Sequence, residues 1–212
     1  LTSNPKLEYL TLDGHFVGEF PASFKSLKKL QSLTIESETL KTFPDIISQL
    51  PALKQLSIRD TQITSIPECL GQLSSLEELS ITNNRYLKAL PNSLGELSNL
   101  KELWVKAGLL SELPASIGQL TKLERLNLIN LPVLHTLPDE ICCLGALTDL
   151  YIQQCGITAL PQSLNQLSSL NQLSSLTELQ LKQTEIRHFP DLTALSTQLT
   201  FFRGQNNPFY PF

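Results

Sequence analysis

Residues 53–75 spell LKQLSIRDTQITSIPECLGQLSS. The block opens with L-x-x-L-x-[LIV], carries the apolar–proline pair Ile66–Pro67, and closes with x-x-[LIF]-x-x-L at Leu70 and Leu73. Blocks that align with it begin at Leu7, Leu30, Leu53, Leu76, Leu100, Leu123, Leu147, Leu176 and Leu199; the first eight carry L-x-x-L-x-[LIV] and the apolar–proline pair, and all but the last of these continue with x-x-[LIF]-x-x-L. The spacings are 23, 23, 23, 24, 23, 24, 29 and 23 residues. Self-similarity at such a period marks a repeat architecture, one short unit stacked many times.

The two halves of a block follow different periods. In L-x-x-L-x-L the last two apolar residues are two apart, as on a short strand with one buried face. After the proline they recur three apart, as at Ile117 and Leu120 or Ile141 and Leu144. That spacing predicts a turn or two of α- or 3₁₀-helix with proline in the first turn. Neither half can bury its apolar edge alone. Stacked copies can, strand beside strand, with a parallel sheet lining the inside of an arc.

L-x-x-L-x-L followed by L-P-x-x-[IL]-x-x-L resembles the leucine-rich repeat (LRR), over nearly the whole chain, in eight full copies and a fragment. The resemblance implies an α/β solenoid. In it, a curved right-handed horseshoe carries a parallel sheet on its concave face and short helices or 3₁₀ turns on its convex face. The L-P-x-x-I variant is similar to the intracellular repeats of plant and animal signalling proteins and to those of bacterial effectors injected into host cells. The G-x-I-P signature and the glycosylation sequons of plant extracellular receptors are missing. One departure stands out. The family's asparagine ladder after the strands survives only at Asn84 and Asn207; elsewhere the position holds His15, Glu38, Thr61, Gly108, Leu131, Cys155 and Thr184. Cysteine is an accepted family substitute there, so Cys155 is read as a packed, inert thiol.

The resemblance also implies a function: a protein–protein interaction module that binds a target protein on its concave face. The leading expectation is the recognition domain of a bacterial virulence effector, intracellular and secreted into the host cytoplasm. Two alternatives stay open: the substrate-recruiting domain of an effector ubiquitin ligase, and an intracellular signalling scaffold of plant or animal type. Leu1 precedes Leu7 by six residues, as Leu94 precedes Leu100, so the chain is expected to open inside the helix of an earlier repeat. At the other end LTFFRGQNNPFYPF starts as a repeat and stops before its helix, with Phe201, Phe202, Phe209, Tyr210 and Phe212 expected to form part of a cap. Residues 1–212 are therefore expected to be one LRR domain excised from a longer protein, of about eight full repeats plus partial terminal ones.

Composition agrees with a scaffold. Apolar residues make up 41 % of the chain while aromatics reach only 7 %, a leucine-heavy balance that suits stacked repeats better than a mixed core. The net charge of −4 comes with both signs interspersed, which argues against a nucleic-acid or anionic-membrane partner. No apolar run approaches the ~20 residues of a membrane span. Cys69, Cys142, Cys143 and Cys155 form no C-x-x-C pair, and two are adjacent; with the missing sequons this leans toward a reducing compartment. His15, His135 and His188 fall in turns of repeats 1, 6 and 8, too scattered to cooperate. No phosphate loop, metal site, cofactor site or small-molecule substrate site is expected, and this fragment is not expected to be an enzyme.

The informative surface is the concave one. Strand side chains alternate, so in L1-x2-x3-L4-x5-L6-x7 the residues x3, x5 and x7 point away from the core. Column x5 runs Thr11, Thr34, Ser57, Ser80, Trp104, Asn127, Tyr151 and Gln180, small hydroxyls first and bulk afterwards. The single tryptophan is thus expected to stand exposed mid-arc, roughly 10 Å from Tyr151 two strands on. Around them x3 supplies Glu102, Arg125 and Asp149, and x7 supplies Lys106, Ile129 and Gln153. Trp, Tyr and Arg dominate binding hot spots. The expected partner-binding residues are therefore Trp104, Tyr151, Arg125, Lys106, Asn127, Ile129, Asp149 and Glu102. The charged x7 column at Asp13, Glu36 and Arg59 is read as solubilising surface.

One repeat breaks the schedule. Residues 163–176, SLNQLSSLNQLSSL, hold LNQLSS twice and stretch the seventh spacing to 29. Leucines 164, 167, 170, 173 and 176 fall every third residue and would smear over ~240° of an α-helix. One or two, Leu170 or Leu173, are expected to be exposed, and the insertion to lie on the convex side, where extra length is tolerated.

Overall fold

The computed structural model describes residues 4–15, 20–161, 163, 173–187, 195 and 198–208. Each L-x-x-L-x-L block becomes a strand: β1 (Tyr9–Asp13), β2 (Ser32–Glu36), β3 (Gln55–Arg59), β4 (Glu78–Thr82), β5 (Glu102–Lys106), β6 (Arg125–Leu131), β7 (Asp149–Cys155), β8 (Glu178–Lys182) and β9 (Phe201–Gln205). They form one parallel sheet in sequence order. Equivalent positions sit in register throughout, for example Leu33 beside Leu56, Ser80 beside Trp104 and Tyr151 beside Gln180. The pairing of β7 with β8 keeps this register across the 29-residue repeat.

The return segments are short 3₁₀ helices: η1 (Ala22–Ser26), η2 (Asp45–Gln49), η3 (Glu68–Gln72), η4 (Asn92–Glu96), η5 (Ala115–Gln119) and η6 (Asp139–Cys143). The proline stands one residue earlier than expected, immediately before each helix rather than in its first turn; Pro67 and Pro91, with φ of −76° and −70°, are typical. Its ring fixes the entry angle and it has no N–H to leave unpaired. Each turn closes when a leucine N–H reaches back to the carbonyl three residues earlier, as Leu73 does to Leu70. That leucine is then buried against the back of the sheet: Leu73 is 1 % exposed.

Leu53 just before β3, Leu56 and Ile58 on it, and Ile63, Leu70 and Leu73 after it lie in one continuous core that runs through the array. Deleting one such side chain costs about 2–5 kcal/mol. Close stacking of the returns depends on glycine. A Cβ on Gly71 would meet the Ser93 Cβ at 2.8 Å, and one on Gly118 would meet the Glu140 carbonyl oxygen at 2.6 Å.

A regularity not expected from the pattern ends most strands. Asp60, Asn83, Asn130, Gln154, Gln183 and Asn206 all adopt left-handed backbone, with φ between 51° at Asp60 and 58° at Asn83. The short polar side chains tolerate that region, which swings the chain off the sheet. In repeats 2 and 5 the position holds Ser37 and Ala107, which are buried.

The next position carries the inter-repeat ties. Asn84 is fully buried; its Oδ1 accepts from the Thr61 N–H at 3.1 Å and the Thr61 hydroxyl at 2.5 Å, and its Nδ2 donates to the Ile58 carbonyl at 2.9 Å. Asn207 repeats the set on Thr184 and the Leu181 carbonyl. Cys155 takes the asparagine's place, its thiol directed at the Leu128 and Gln153 carbonyls. Burial pushes that thiol up to about 11.

Most of the doubled hexapeptide, 164–172, lies outside the described residues, as do His188, Phe209, Tyr210 and Phe212. Leu173 is described, and it corrects an expectation: it is fully buried, not exposed. It occupies the place of Leu73 in its repeat, so the core claims it, at a left-handed φ of 47°.

Candidate functional site

One face of the sheet packs on the core and the other is open. Parallel sheets are otherwise found with both faces covered, so the open face carries the interest. Its outward rows follow the predicted columns, and repeats 5 to 8 place every candidate residue in one neighbourhood. The x5 row runs Trp104, Asn127, Tyr151 in adjacent strands. Glu102, Arg125, Asp149 and Glu178 are consecutive in the x3 row. Ile129 is register partner to Gln153, and Lys106 ends β5 on the same side.

Trp104 is 39 % exposed, the exposed aromatic that the column predicts. Its indole N–H points to Glu102 Oε2 at 3.4 Å, a long and weak contact. Arg125 is ion-paired with Glu102. The Tyr151 hydroxyl donates to Glu178 Oε2 at 3.2 Å. Its phenol is raised above the usual range, first by desolvation, then by the bond to Glu178 and the charges of Glu178 and Asp149. Asp149 accepts from the Thr148 hydroxyl at 2.6 Å. Among the described residues Trp104 and Tyr151 make no ring contact with another aromatic; Phe20 and Phe24, far along the array, do meet edge to face.

Asn127 departs from expectation. It stands on the open row between Trp104 and Tyr151, yet it is only 4 % exposed. A short side chain flanked by two large ones in the same row lies at the bottom of the relief they create. Glu178 was missed by the column reading, which stopped at Asp149 in x3. The signal was present: x3 of the eighth repeat, once the six-residue insertion is discounted.

Sites elsewhere are plainer. A cavity of about 460 Å³ lies beside Phe20, Phe43 and Asp45, away from the sheet face. No group of three or more metal-ligating side chains occurs among the described residues. Cys142 is buried with its sulfur 3.1 Å from the Ser163 hydroxyl, whereas Cys143 is exposed. Burial raises the Cys142 thiol, which opposes reactivity. His135 Nδ1 lies 3.1 Å from the Gly156 carbonyl oxygen, to which its N–H donates in the Nδ1-protonated tautomer. No described helix is long and apolar enough to cross a membrane.

Comparison with known proteins agrees with the geometry. The profile of the leucine-rich repeat region matches residues 1–109. The chain belongs to the leucine-rich repeat family. Among solved structures, an LRR protein of Leptospira interrogans is 25 % identical with a TM-score of 0.58, over 97 % of this chain and 68 % of that one. The LRR domain of the type III effector XopL is 23 % identical with a TM-score of 0.67, over 97 % and 78 %. The LRR ectodomain of the Arabidopsis thaliana receptor kinase GASSHO1/SCHENGEN3, solved in complex with Casparian strip integrity factor 2, is 26 % identical with a TM-score of 0.67, over 93 % and 23 %. No curated protein matches the sequence closely enough to count as a relative. The LRR solenoid thus stands, as a parallel sheet backed by 3₁₀ turns.

Proposed function

We propose that this LRR chain is a non-catalytic protein-recognition module that takes a target protein on the open sheet face of repeats 5 to 8. The observation that carries the reading is a half-exposed Trp104, two strands from Tyr151 in the same row, on an uncovered parallel sheet. Exposed aromatic surface of this kind is a liability in water and an asset in an interface. Arg125, Lys106, Ile129, Asp149 and Glu102 form the polar and apolar surround, and Asn127 the floor. The ligand-bound GASSHO1/SCHENGEN3 structure supports use of the fold for protein ligands. The finer reading is the single recognition domain of a bacterial effector acting inside a host cell. The L-P-x-x-I repeats and the likeness to a Leptospira protein support it.

Site-specific photo-crosslinking tests the face. A photoreactive residue at Gln153, on the sheet, is expected to trap a discrete partner from host-cell lysate, identified by mass spectrometry. The adduct disappears with Trp104→Ala while the circular dichroism spectrum stays unchanged. A photoreactive residue at Glu140, on the returns, is expected to trap nothing equivalent. Equal trapping from both positions, or an adduct indifferent to Trp104→Ala, overturns the assignment.

A further inference from the structure

The Asn127 side chain is buried although it stands on the open face. It is 4 % exposed, and its amide makes no hydrogen bond with any described residue. Among the described residues the side-chain atoms sealed from solvent without partners are Ser93 Oγ and Ser116 Oγ; the Asn127 amide thus keeps a contact with solvent, through the opening that the x5 row leaves over it between Trp104 and Tyr151. Buried amides are almost always paired. The flanking strands are two ladder steps apart, roughly 10 Å, which leaves room for one flat group between the rings.

The charge beside this opening is mixed with a negative excess: Arg125 is the register partner of Asp149 but is ion-paired with Glu102, which leaves two carboxylates over. Asp149 and Glu178 are register neighbours next to Tyr151. Neither forms an ion pair with a described lysine or arginine; the nearby cation, Arg125, is committed to Glu102. The hydrogen bond from the Tyr151 hydroxyl leaves the Glu178 carboxylate further acceptor capacity, and Thr148 leaves Asp149 the same. Lys106 and Lys182 lie four residues along the strands from the x3 row, roughly 13 Å from those carboxylates, so the field favours a cation on the Asp149 side of the opening.

We propose that this opening receives an arginine side chain of the partner protein, its guanidinium between Trp104 and Tyr151, bonded to Asn127 Oδ1 and the carboxylates of Asp149 and Glu178. The inference rests on the reading of the open face as the protein-binding surface and deepens it to one side-chain chemistry. Arginine fits where lysine does not. Acceptors arrive from several directions, which suits a planar fork of five donors, and the flat group stacks on both rings.

Trp104 is the sole tryptophan, so its fluorescence reads the opening directly. The blocked pentapeptide Ac-Gly-Gly-Arg-Gly-Gly-NH₂ is expected to change it saturably in the millimolar range. The neutral citrulline analogue should bind about tenfold more weakly, and the lysine analogue several-fold more weakly. Asp149→Asn and Asn127→Ala should each weaken the arginine peptide several-fold; Asp149→Asn, on the surface, does not depend on core repacking. No saturable signal, equal binding of the citrulline peptide, or indifference to Asp149→Asn overturns the proposal. A random heptapeptide library selected on the intact chain separates it from the broader reading. Enrichment of arginine in binders that Trp104→Ala abolishes supports both. Binders abolished by Trp104→Ala without arginine overturn the arginine site alone, and binders indifferent to Trp104→Ala overturn the face itself.

Discussion

Asn84→Ala should destabilise the array by about 2–4 kcal/mol, more than most surface changes and as much as a core leucine. The wild-type amide is fully buried and satisfies the Thr61 N–H, the Thr61 hydroxyl and the Ile58 carbonyl at once. Truncation orphans two backbone groups of the neighbouring repeat, each worth about 1–3 kcal/mol when buried without a partner. A water in the vacated space recovers part of the loss, which keeps the figure below the full sum. Thr61→Val is the matched contrast. It removes a hydroxyl that donates to Asn84 and accepts weakly from the Ile63 N–H at 3.3 Å, but leaves Asn84 bonded to the Thr61 N–H and the Ile58 carbonyl, so about 1–2 kcal/mol is expected, less than for Asn84→Ala. Urea unfolding followed by circular dichroism gives the stability difference. Hydrogen exchange gives its location, since repeats couple mainly to their neighbours. Amides of β3 and β4 should exchange faster while those of β7 and β8 hardly change. A loss below about 1 kcal/mol for Asn84→Ala, or equal losses for the two variants, refutes the reasoning.

Thiol reactivity should follow burial: Cys143 reacts with an aromatic disulfide reagent at once, Cys69 slowly, and Cys142 and Cys155 only on unfolding. Fast native labelling of Cys155 would contradict its thiol being pushed up to about 11. The Glu68 carboxylate is held below its usual range chiefly by the Ser93 N–H, at 2.7 Å, with the Asn92 N–H at 3.1 Å. A lowered carboxylate stabilises the fold above the unfolded-state value and loses that contribution as pH falls through the folded-state value. Protection of the Asn92 and Ser93 amides, taken relative to their intrinsic exchange rates at each pH, should therefore fall in acid, and Glu68→Gln should abolish this pH response; an unchanged protection profile would count against the contact. Deleting residues 170–175 restores a 23-residue spacing and lets Leu167 replace Leu173. With the left-handed leucine relieved, stability should hold or rise by about 1 kcal/mol; a marked drop in the urea midpoint would show that the insertion is structural.

Much of this was legible because a repeat writes each rule many times. The strand positions, their parallel order and the outward columns followed from L-x-x-L-x-L alone, since period two allows one buried face. Trp104 was placed correctly for that reason. What escaped depends on neighbours. The depth of Asn127 is decided by the bulk on either side of it, and a column lists residues without their heights. Leu173 was misjudged because three-residue spacing was projected on an α-helix, whereas the described returns are 3₁₀, in which residues three apart eclipse. The left-handed residues were visible as Asp60, Asn83, Asn130 and Asn206, polar side chains at one recurring position, but Gln154 and Gln183 blurred the signal.

The register that survives the 29-residue repeat has a practical corollary. Each strand finds its neighbour through its own six residues, whatever length of chain precedes it. The stretch of sequence before Leu173 is therefore a splice point: a tag, a fluorophore or a second domain could be carried there with β7 and β8 still in step. Whole repeats could likewise be added on the β1 side, moving the Trp104–Tyr151 row along the arc as a unit, its internal geometry intact.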